Sequence, residues 1–214
     1  QCSNRMFLAI ALVRNGKLDE GLHEYHLIQS ACRDGRGLAG LALLEADFLQ
    51  FTAISLNSRN EAKLAIQLLK DAIHTFESAS TGNRKAAALY LYVGLGKILY
   101  FGNRLDEAES TLKKGLQSDS LSLSLAAIDG WLTLWWVKIG QQDFPAARHI
   151  LEALESSVRN CDEKVTRLVA LPAALQDLLE GKIASAVARM QNLGFTDDVD
   201  GALTQVSDSE LMSW

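Results

Sequence analysis

The clearest pattern in this sequence is an amphipathic motif that recurs five times, at intervals of 39 to 44 residues. In each copy a small residue opens the apolar face of a helix, and a large or core-type apolar residue follows four positions later, as helical spacing requires. The five small residues, which we call anchors, are Gly21, Ala65, Ala108, Ala147 and Ala186. A period of about 40 residues that carries paired helices is typical of an α-solenoid, in which each unit buries its apolar face against its neighbours.

A second apolar series precedes each anchor and predicts a first helix in every repeat. The predicted first helices span residues 3–14, 38–56, 84–101, 121–139 and 163–179, and the anchor helices follow after short turns. The fold class predicted from the sequence is therefore all-α, a right-handed α-solenoid of about five helix-turn-helix repeats. Their approximate bounds are residues 1–34, 35–80, 81–119, 120–160 and 161–195, within one continuous domain.

Glycine and asparagine mark the predicted turns, because both tolerate the left-handed backbone that ends a helix. The breaking residues are Asn15-Gly16, residues 57–60, Gly102-Asn103, Gly140 and Gly181. Gly140 lies two positions earlier than the other repeats predict. One hypothesis is a turn longer by two residues, which would bring Thr133 rather than Trp135 to the close contact between the helices.

The fifth repeat has two irregular features. Pro172 lies inside a helical pattern and predicts a kink or a split near Leu171. The same helix carries a row of leucines too apolar to face water: Leu168, Leu171, Leu175, Leu178 and Leu179. Another protomer, the kinked helix or further repeats are the candidate partners of that row.

Residues 196–214 predict the start of a sixth repeat. Ser207 and Glu210 have the spacing of a capping box, and Leu211, Met212 and Trp214 follow it. From this abrupt helix start and the absence of an initial methionine, we expect that the sequence is a piece of a longer protein.

Composition narrows the function further. The chain has 214 residues, of which 48% are hydrophobic, and its net charge of −5 lacks the clustered Lys and Arg of a nucleic-acid-binding face. Three widely spaced cysteines are typical of reduced thiols, which favours a cytoplasmic protein. No segment approaches the roughly 18 consecutive apolar residues of a membrane span.

Catalytic and metal-binding motifs are not evident in the sequence. It contains no Gly-x4-Gly-Lys-Ser/Thr loop, and His23 and His26 are three apart rather than four, so they do not match the zinc-protease helix. We therefore expect no enzyme activity, no cofactor and no metal site.

Small residues recur twelve and five positions before the anchors, for example Ala9 and Gly16 in the first repeat. This arrangement resembles the tetratricopeptide (TPR) pattern. The long period, together with the segments 95–100 (LGKILY) and 102–108 (GNRLDEA), resembles the TPR-like region of large LuxR-type regulators of the MalT kind. That resemblance implies a superhelical sensor region flanked by a nucleotide-binding module and a helix-turn-helix. Trp135 departs from the pattern, because it occupies a small-residue position.

The resemblance also implies a concave groove lined by the first helices. The family's groove positions correspond to Asp47, Gln50, Tyr90, Lys97, Tyr100, Asp129 and Trp136. Lys97, between two tyrosines, is the candidate contact for an anionic or sugar-like ligand, although the same aromatics would also suit the solenoid core. The implied function is a non-catalytic region that binds a small-molecule inducer or a regulatory protein. The alternative is a TPR adaptor with protein partners alone.

Overall fold

The computed structural model describes residues 2–31, 41–79, 82–117 and 124–194, and within these ranges the regular structure is all helical. The predicted sixth repeat lies outside the described residues. The described residues form ten helices: α1 (Cys2–Arg14), α2 (Leu18–Ala31), α3 (Ala42–Ser58), α4 (Ala62–Glu77), α5 (Gly82–Phe101), α6 (Leu105–Gln117), α7 (Leu125–Gly140), α8 (Phe144–Val158), α9 (Glu163–Leu179) and α10 (Ile183–Asn192).

The all-α prediction is thus confirmed, and so is the alternation of first helices with anchor helices. All five anchor helices begin at the apolar residue three positions before the anchor. These starting residues are Leu18, Ala62, Leu105, Phe144 and Ile183. The backbone N–H of each anchor donates to the carbonyl four residues earlier, as from Gly21 to Lys17 at 3.0 Å, so the anchor lies in the first turn of its helix.

One turn type joins the two helices of a repeat. The residue five positions before each anchor has a positive φ, between 55° and 78°, at Gly16, Asn60, Asn103, Gln142 and Gly181. In the first turn, Gly16 N–H donates to Val13 and Lys17 N–H to Leu12, at 3.0 and 2.9 Å. This pair of bonds is the Schellman motif, which satisfies two carbonyls that the helix end would leave without partners. The pair recurs at Asn103 and Gly181.

The fourth turn corrects the sequence analysis. Gly140 is the last residue of α7, and Gln142 takes the left-handed conformation at the standard position. The turn therefore has its usual length, and the hypothesis of two extra residues, with Thr133 displaced into the contact position, is wrong. Trp135 keeps its place in the register and is completely buried, with 0% exposure.

This turn leads to a stability prediction. A left-handed conformation costs a residue with a Cβ roughly 1–2 kcal/mol, which exceeds the entropic cost of glycine. Gln142→Gly should therefore increase the free energy of unfolding by about 0.5–1 kcal/mol. Arg159→Gly is the control, because Arg159 is exposed and has an ordinary φ of −52°. It should lower stability in urea denaturation, and a stability loss in both variants would contradict a strained backbone at Gln142.

The chain forms two compact units, residues 1–141 and 142–214. In the N-terminal unit α1, α3 and α5 each contact their own anchor helix and the next first helix, so α1, α3, α5 and α7 follow one another as neighbours. Small residues permit the close approach. A Cβ on Gly21 would lie 2.5 Å from Val13 and 3.0 Å from the carbonyl oxygen of Ala9, and one on Gly96 would lie 2.6 Å from Leu112.

A buried polar network ties three helices of the N-terminal unit together. Tyr25 on α2 donates its hydroxyl proton to Glu45 on α3 at 2.9 Å, and Arg84 on α5 donates to the other oxygen of Glu45, also at 2.9 Å. The Arg84 guanidinium also lies over the ring of Phe76. Burial and the adjacent Glu45 carboxylate raise the pKa of Tyr25, so its hydroxyl stays protonated and acts as the donor.

The C-terminal unit contains α8, α9 and α10, with α9 in contact with both other helices. Helix α9 runs unbroken from Glu163 to Leu179, with Pro172 buried inside it, so the split expected near Leu171 does not occur. The centre of this unit is polar. Asp177, 1% exposed, accepts hydrogen bonds from Arg148 on α8 and from Ser185 and Arg189 on α10.

Candidate functional site

The seven candidate groove residues all lie on first helices of the N-terminal unit. Asp47 and Gln50 are on α3, Tyr90, Lys97 and Tyr100 are on α5, and Asp129 and Trp136 are on α7. Because α5 contacts both α3 and α7, these residues lie on three successive neighbouring helices.

Lys97 and Asp129 form the centre of the candidate site. Their side chains make an ion pair between α5 and α7, with Nζ 2.8 Å from the carboxylate, and they are 18% and 34% exposed. Lys97 therefore has a carboxylate partner, which the sequence analysis did not predict. The pair offers a ligand one donor and one acceptor side by side, and its charges sum to zero.

Two aromatic candidates lie on the same two helices. Tyr100 is half-buried one helical turn after Lys97, and its ring is 5.5 Å from that of Phe101, which is 66% exposed. Trp136 is half-buried, with its ring centroid 4.4 Å from that of the fully buried Trp135. The two tryptophans thus differ in environment, because Trp135 belongs to the core whereas Trp136 reaches the surface.

The other aromatic residues divide in the same way. Tyr90, at the position of Asp129 in the preceding repeat, is half-buried, and Trp131 is 38% exposed. Tyr92 is buried, and its hydroxyl donates to Glu77 on α4 at 2.5 Å, so it supports the structure between repeats. Tyr90, Tyr100 and Trp136 therefore combine partial exposure with a place on the candidate helices.

The two candidates on α3 have different surroundings. Gln50 is only 6% exposed, and its side chain packs against Gly94 on α5, where an added Cβ would lie 2.8 Å from its Cγ. It offers little surface to a ligand, and we leave it out of the proposed site. Asp47 is half-buried. Burial raises the pKa of Asp47, and the charge of Arg14 on α1 opposes that rise, which associates Asp47 with the first repeat.

Sequence reasoning missed a second polar cluster between α6 and α7. Glu109 accepts hydrogen bonds from Lys138 at 2.7 Å and from Gln141 at 2.9 Å, and it also pairs with Lys113. Burial raises the pKa of Glu109, but the hydrogen bonds from Lys113, Lys138 and Gln141 outweigh it and lower the pKa to about 2. Glu109 stays ionised at neutral pH, and its bonds hold the end of α7 against α6.

A surface hollow of about 560 Å³ lies elsewhere in the N-terminal unit, beside α1 and α2. Two leucines, one histidine and three acidic residues line it: Leu8, Leu12, His23, Asp19, Glu20 and Glu24. The sequence analysis had considered the histidine segment only as a metal site and had excluded it on spacing. Leu8 and Leu12 on α1 could have indicated the hollow from the sequence. The residues at the same two positions of the later repeats are buried or half-buried.

Among the described residues, no group of three or more His, Cys, Asp or Glu side chains converges as metal ligands would. Within the same ranges, none of the helices combines the length and hydropathy needed to cross a bilayer. Cys2 is half-buried and Cys161 is exposed, whereas Cys32 lies outside the described residues.

Comparison with known proteins adds no family assignment. The chain matches no protein-family model, and no curated protein is significantly similar to it. The resemblance to TPR-like regulators therefore depends on the small-residue pattern, on the segments 95–100 and 102–108, and on the helix-turn-helix geometry.

Proposed function

We propose that this chain is a non-catalytic binding scaffold whose five helix pairs form a right-handed TPR-like solenoid. The single observation that carries the proposal is the Lys97–Asp129 pair, because it joins two neighbouring first helices that also carry partly exposed aromatic side chains. A ligand held there would contact two repeats at once. Its binding energy would therefore depend on how those repeats pack against each other.

The ligand best suited to this site is a neutral polar molecule or a peptide. An ion pair already satisfies part of the charge of Lys97, so a simple anion would have to compete with Asp129. Adjacent donor and acceptor groups can bind hydroxyl or amide groups, and the faces of Tyr100 and Trp136 can pack against an apolar or planar part.

We further propose that the scaffold is the sensor region of a cytoplasmic LuxR-type regulator of the MalT kind. In this proposal an inducer or a regulatory protein binds the first-helix face and shifts the equilibrium of nucleotide-binding and helix-turn-helix modules in the parent chain. The region itself would bind neither nucleic acid nor membrane. The parent gene tests this part: a nucleotide-binding loop upstream and a helix-turn-helix downstream would support it, and their absence would exclude it.

A plain protein adaptor is the second candidate, and the acidic hollow favours it. Leu8 and Leu12 supply apolar surface, while Asp19, Glu20 and Glu24 favour a basic partner over an acidic one. An adaptor of this kind would bind a basic amphipathic segment at α1 and α2. Substitutions at Lys97 or Trp136 would then leave binding unchanged.

The test begins with a thermal-shift screen of sugars, phosphorylated metabolites and peptides. Calorimetric titration of any hit should show binding weakened at least tenfold by Trp136→Ala or by Lys97→Met. Lys17→Met is the matched control, because Lys17 also pairs with a carboxylate but is 57% exposed on the first turn between helices. Equal affinity in all three variants would remove the Lys97 site, and a hit lost only in Leu8→Ser would favour the adaptor.

A further inference from the structure

The outer surface of the C-terminal unit carries an unusual amount of exposed apolar area. On α9, Leu171 is 43% exposed and Leu178 is 50% exposed, with Leu168 and Leu175 half-buried on the same helix. We call these four residues the leucine row. Ile183 and Val187 on α10 extend the apolar face and are 65% and 43% exposed.

The N-terminal unit shows what covers the same positions in other repeats. Leu171 lies fifteen residues before its anchor, and its counterparts in the second and third repeats are Gln50 and Val93. Gln50 contacts Gly94 and Val93 contacts Gly130, and each glycine belongs to the next first helix. Leu175 lies eleven residues before its anchor, and its counterpart Lys97 pairs with Asp129 on the next first helix. The row is thus the surface on which a following first helix lies.

The first repeat is the closest internal template, because its row is also apolar. Met6 and Ile10 occupy the two positions and are 0% and 6% exposed. They belong to one buried cluster with Phe48 from the following first helix, α3. Phe48 lies seven residues after Leu41, the N-cap of α3.

The sequence contains a matching segment beyond the fifth repeat. Ser207 follows the anchor Ala186 by 21 residues, whereas Leu41 follows the anchor Gly21 by 20. Ser207 has N-cap chemistry of the kind seen at Ser124 and Asp162, whose side chains accept from the backbone N–H three residues on. Trp214 lies seven residues after Ser207, which is the position equivalent to Phe48 in α3.

We propose that a helix beginning after Ser207 covers the leucine row, with Trp214 packed on Leu171 and Leu175 as Phe48 packs with Met6 and Ile10. The segment between Gly194 and Ser207 has twelve residues, which is ample to span the width of one helix pair. The surface is therefore a repeat interface within this chain, and it is distinct from the ligand site proposed on the N-terminal unit.

Cross-linking of the full chain tests the contact. In a background with the three cysteines changed to serine, Leu171→Cys is combined with Trp214→Cys, and a short bismaleimide is added at low protein concentration. The control pair combines Trp214→Cys with Glu152→Cys, which places the thiol at an exposed position of α8. Intramolecular adducts should form at least tenfold faster for the first pair than for the control.

Two results would overturn the proposal. Equal rates for the two pairs would show that residues 207–214 do not dock on the row, and adducts between chains alone would show that a second copy covers it. Hydrogen exchange tests the same contact without any substitution in the leucine row. Trp214→Ala should raise the exchange of α9 amides several-fold, whereas Trp214→Phe should leave it close to the original rate. Unchanged exchange in both variants would count against the contact.

Discussion

Asp177→Ala is expected to destabilise the C-terminal unit by about 3 kcal/mol. Removing one partner of a buried ion pair costs about 3–5 kcal/mol, because the charges that remain are left without compensation. The lower end of that range applies to Asp177, since each arginine keeps another carboxylate. Arg148 retains Glu180 at 2.7 Å, and Arg189 retains Glu155.

The geometry explains why Asp177 has no substitute. Its Oδ1 accepts from Arg148 at 2.6 Å, while its Oδ2 accepts from Ser185 at 2.7 Å and Arg189 at 2.8 Å. Its backbone carbonyl accepts from Lys182 N–H at 2.7 Å in the turn between α9 and α10. Burial raises the pKa of Asp177, but the bonds from Ser185, Arg148 and Arg189 outweigh it, so the carboxylate is charged in the folded protein.

Urea denaturation with hydrogen exchange by segment is the appropriate measurement, because the chain has two compact units. The loss of protection should be concentrated in α8, α9 and α10. Glu163→Ala is the control, since Glu163 is 82% exposed and its ion-pair partner, Arg167, lies one turn away on the same helix. It should cost about 0.5 kcal/mol or less. Similar losses in both variants would contradict the assigned role of Asp177.

The sequence predicted the helix pairs well because their signals are local. Small anchors, apolar residues at helical spacing and Gly or Asn in the turns are all readable within one repeat. The turn at Gln142 shows the limit of this reasoning. Glycine draws attention to Gly140, whereas the backbone takes the left-handed conformation at Gln142, where the period places it.

The contacts between repeats were harder to predict, because they depend on pairs of distant residues. The residue that directly follows an anchor contacts the residue nine positions before the next anchor. Glu109 meets Lys138 in this way, and Arg148 meets Asp177 with the charges exchanged. The first repeat has Leu22 and Leu56 at the two positions, and both pack against its apolar cluster. Comparison of matched register positions for opposite charge would have revealed both ion pairs.

The residues of the candidate site show the same limit of reasoning from the sequence. Family offsets selected both Lys97 and Asp129, but they did not reveal that the two side chains bind each other. They also selected Gln50, whose burial against Gly94 follows from the small residue on the neighbouring helix. Positions were therefore predictable from one sequence, while the partner of each side chain required the packed helices.

Trp135→Ala should cause the largest loss of stability in the N-terminal unit, about 3–5 kcal/mol. A fully buried aromatic side chain leaves a large cavity when truncated, and the surrounding helices relax only partly. Trp135 is 0% exposed and contacts the ring of Trp136 at a centroid distance of 4.4 Å. It occupies a position that is Ala or Gly in the other repeats, so the space around it is adapted to an indole and not to a small residue.

Trp131→Ala is the matched control, one turn earlier on α7. Trp131 is 38% exposed, and its truncation should cost about 1 kcal/mol, because less apolar surface returns to water. Unfolding is followed by far-ultraviolet circular dichroism, since each variant removes a fluorescent tryptophan. Equal losses for the two variants would mean that position 135 tolerates a small residue as the other repeats do, and the assignment of Trp135 to the core of the N-terminal unit would then be wrong.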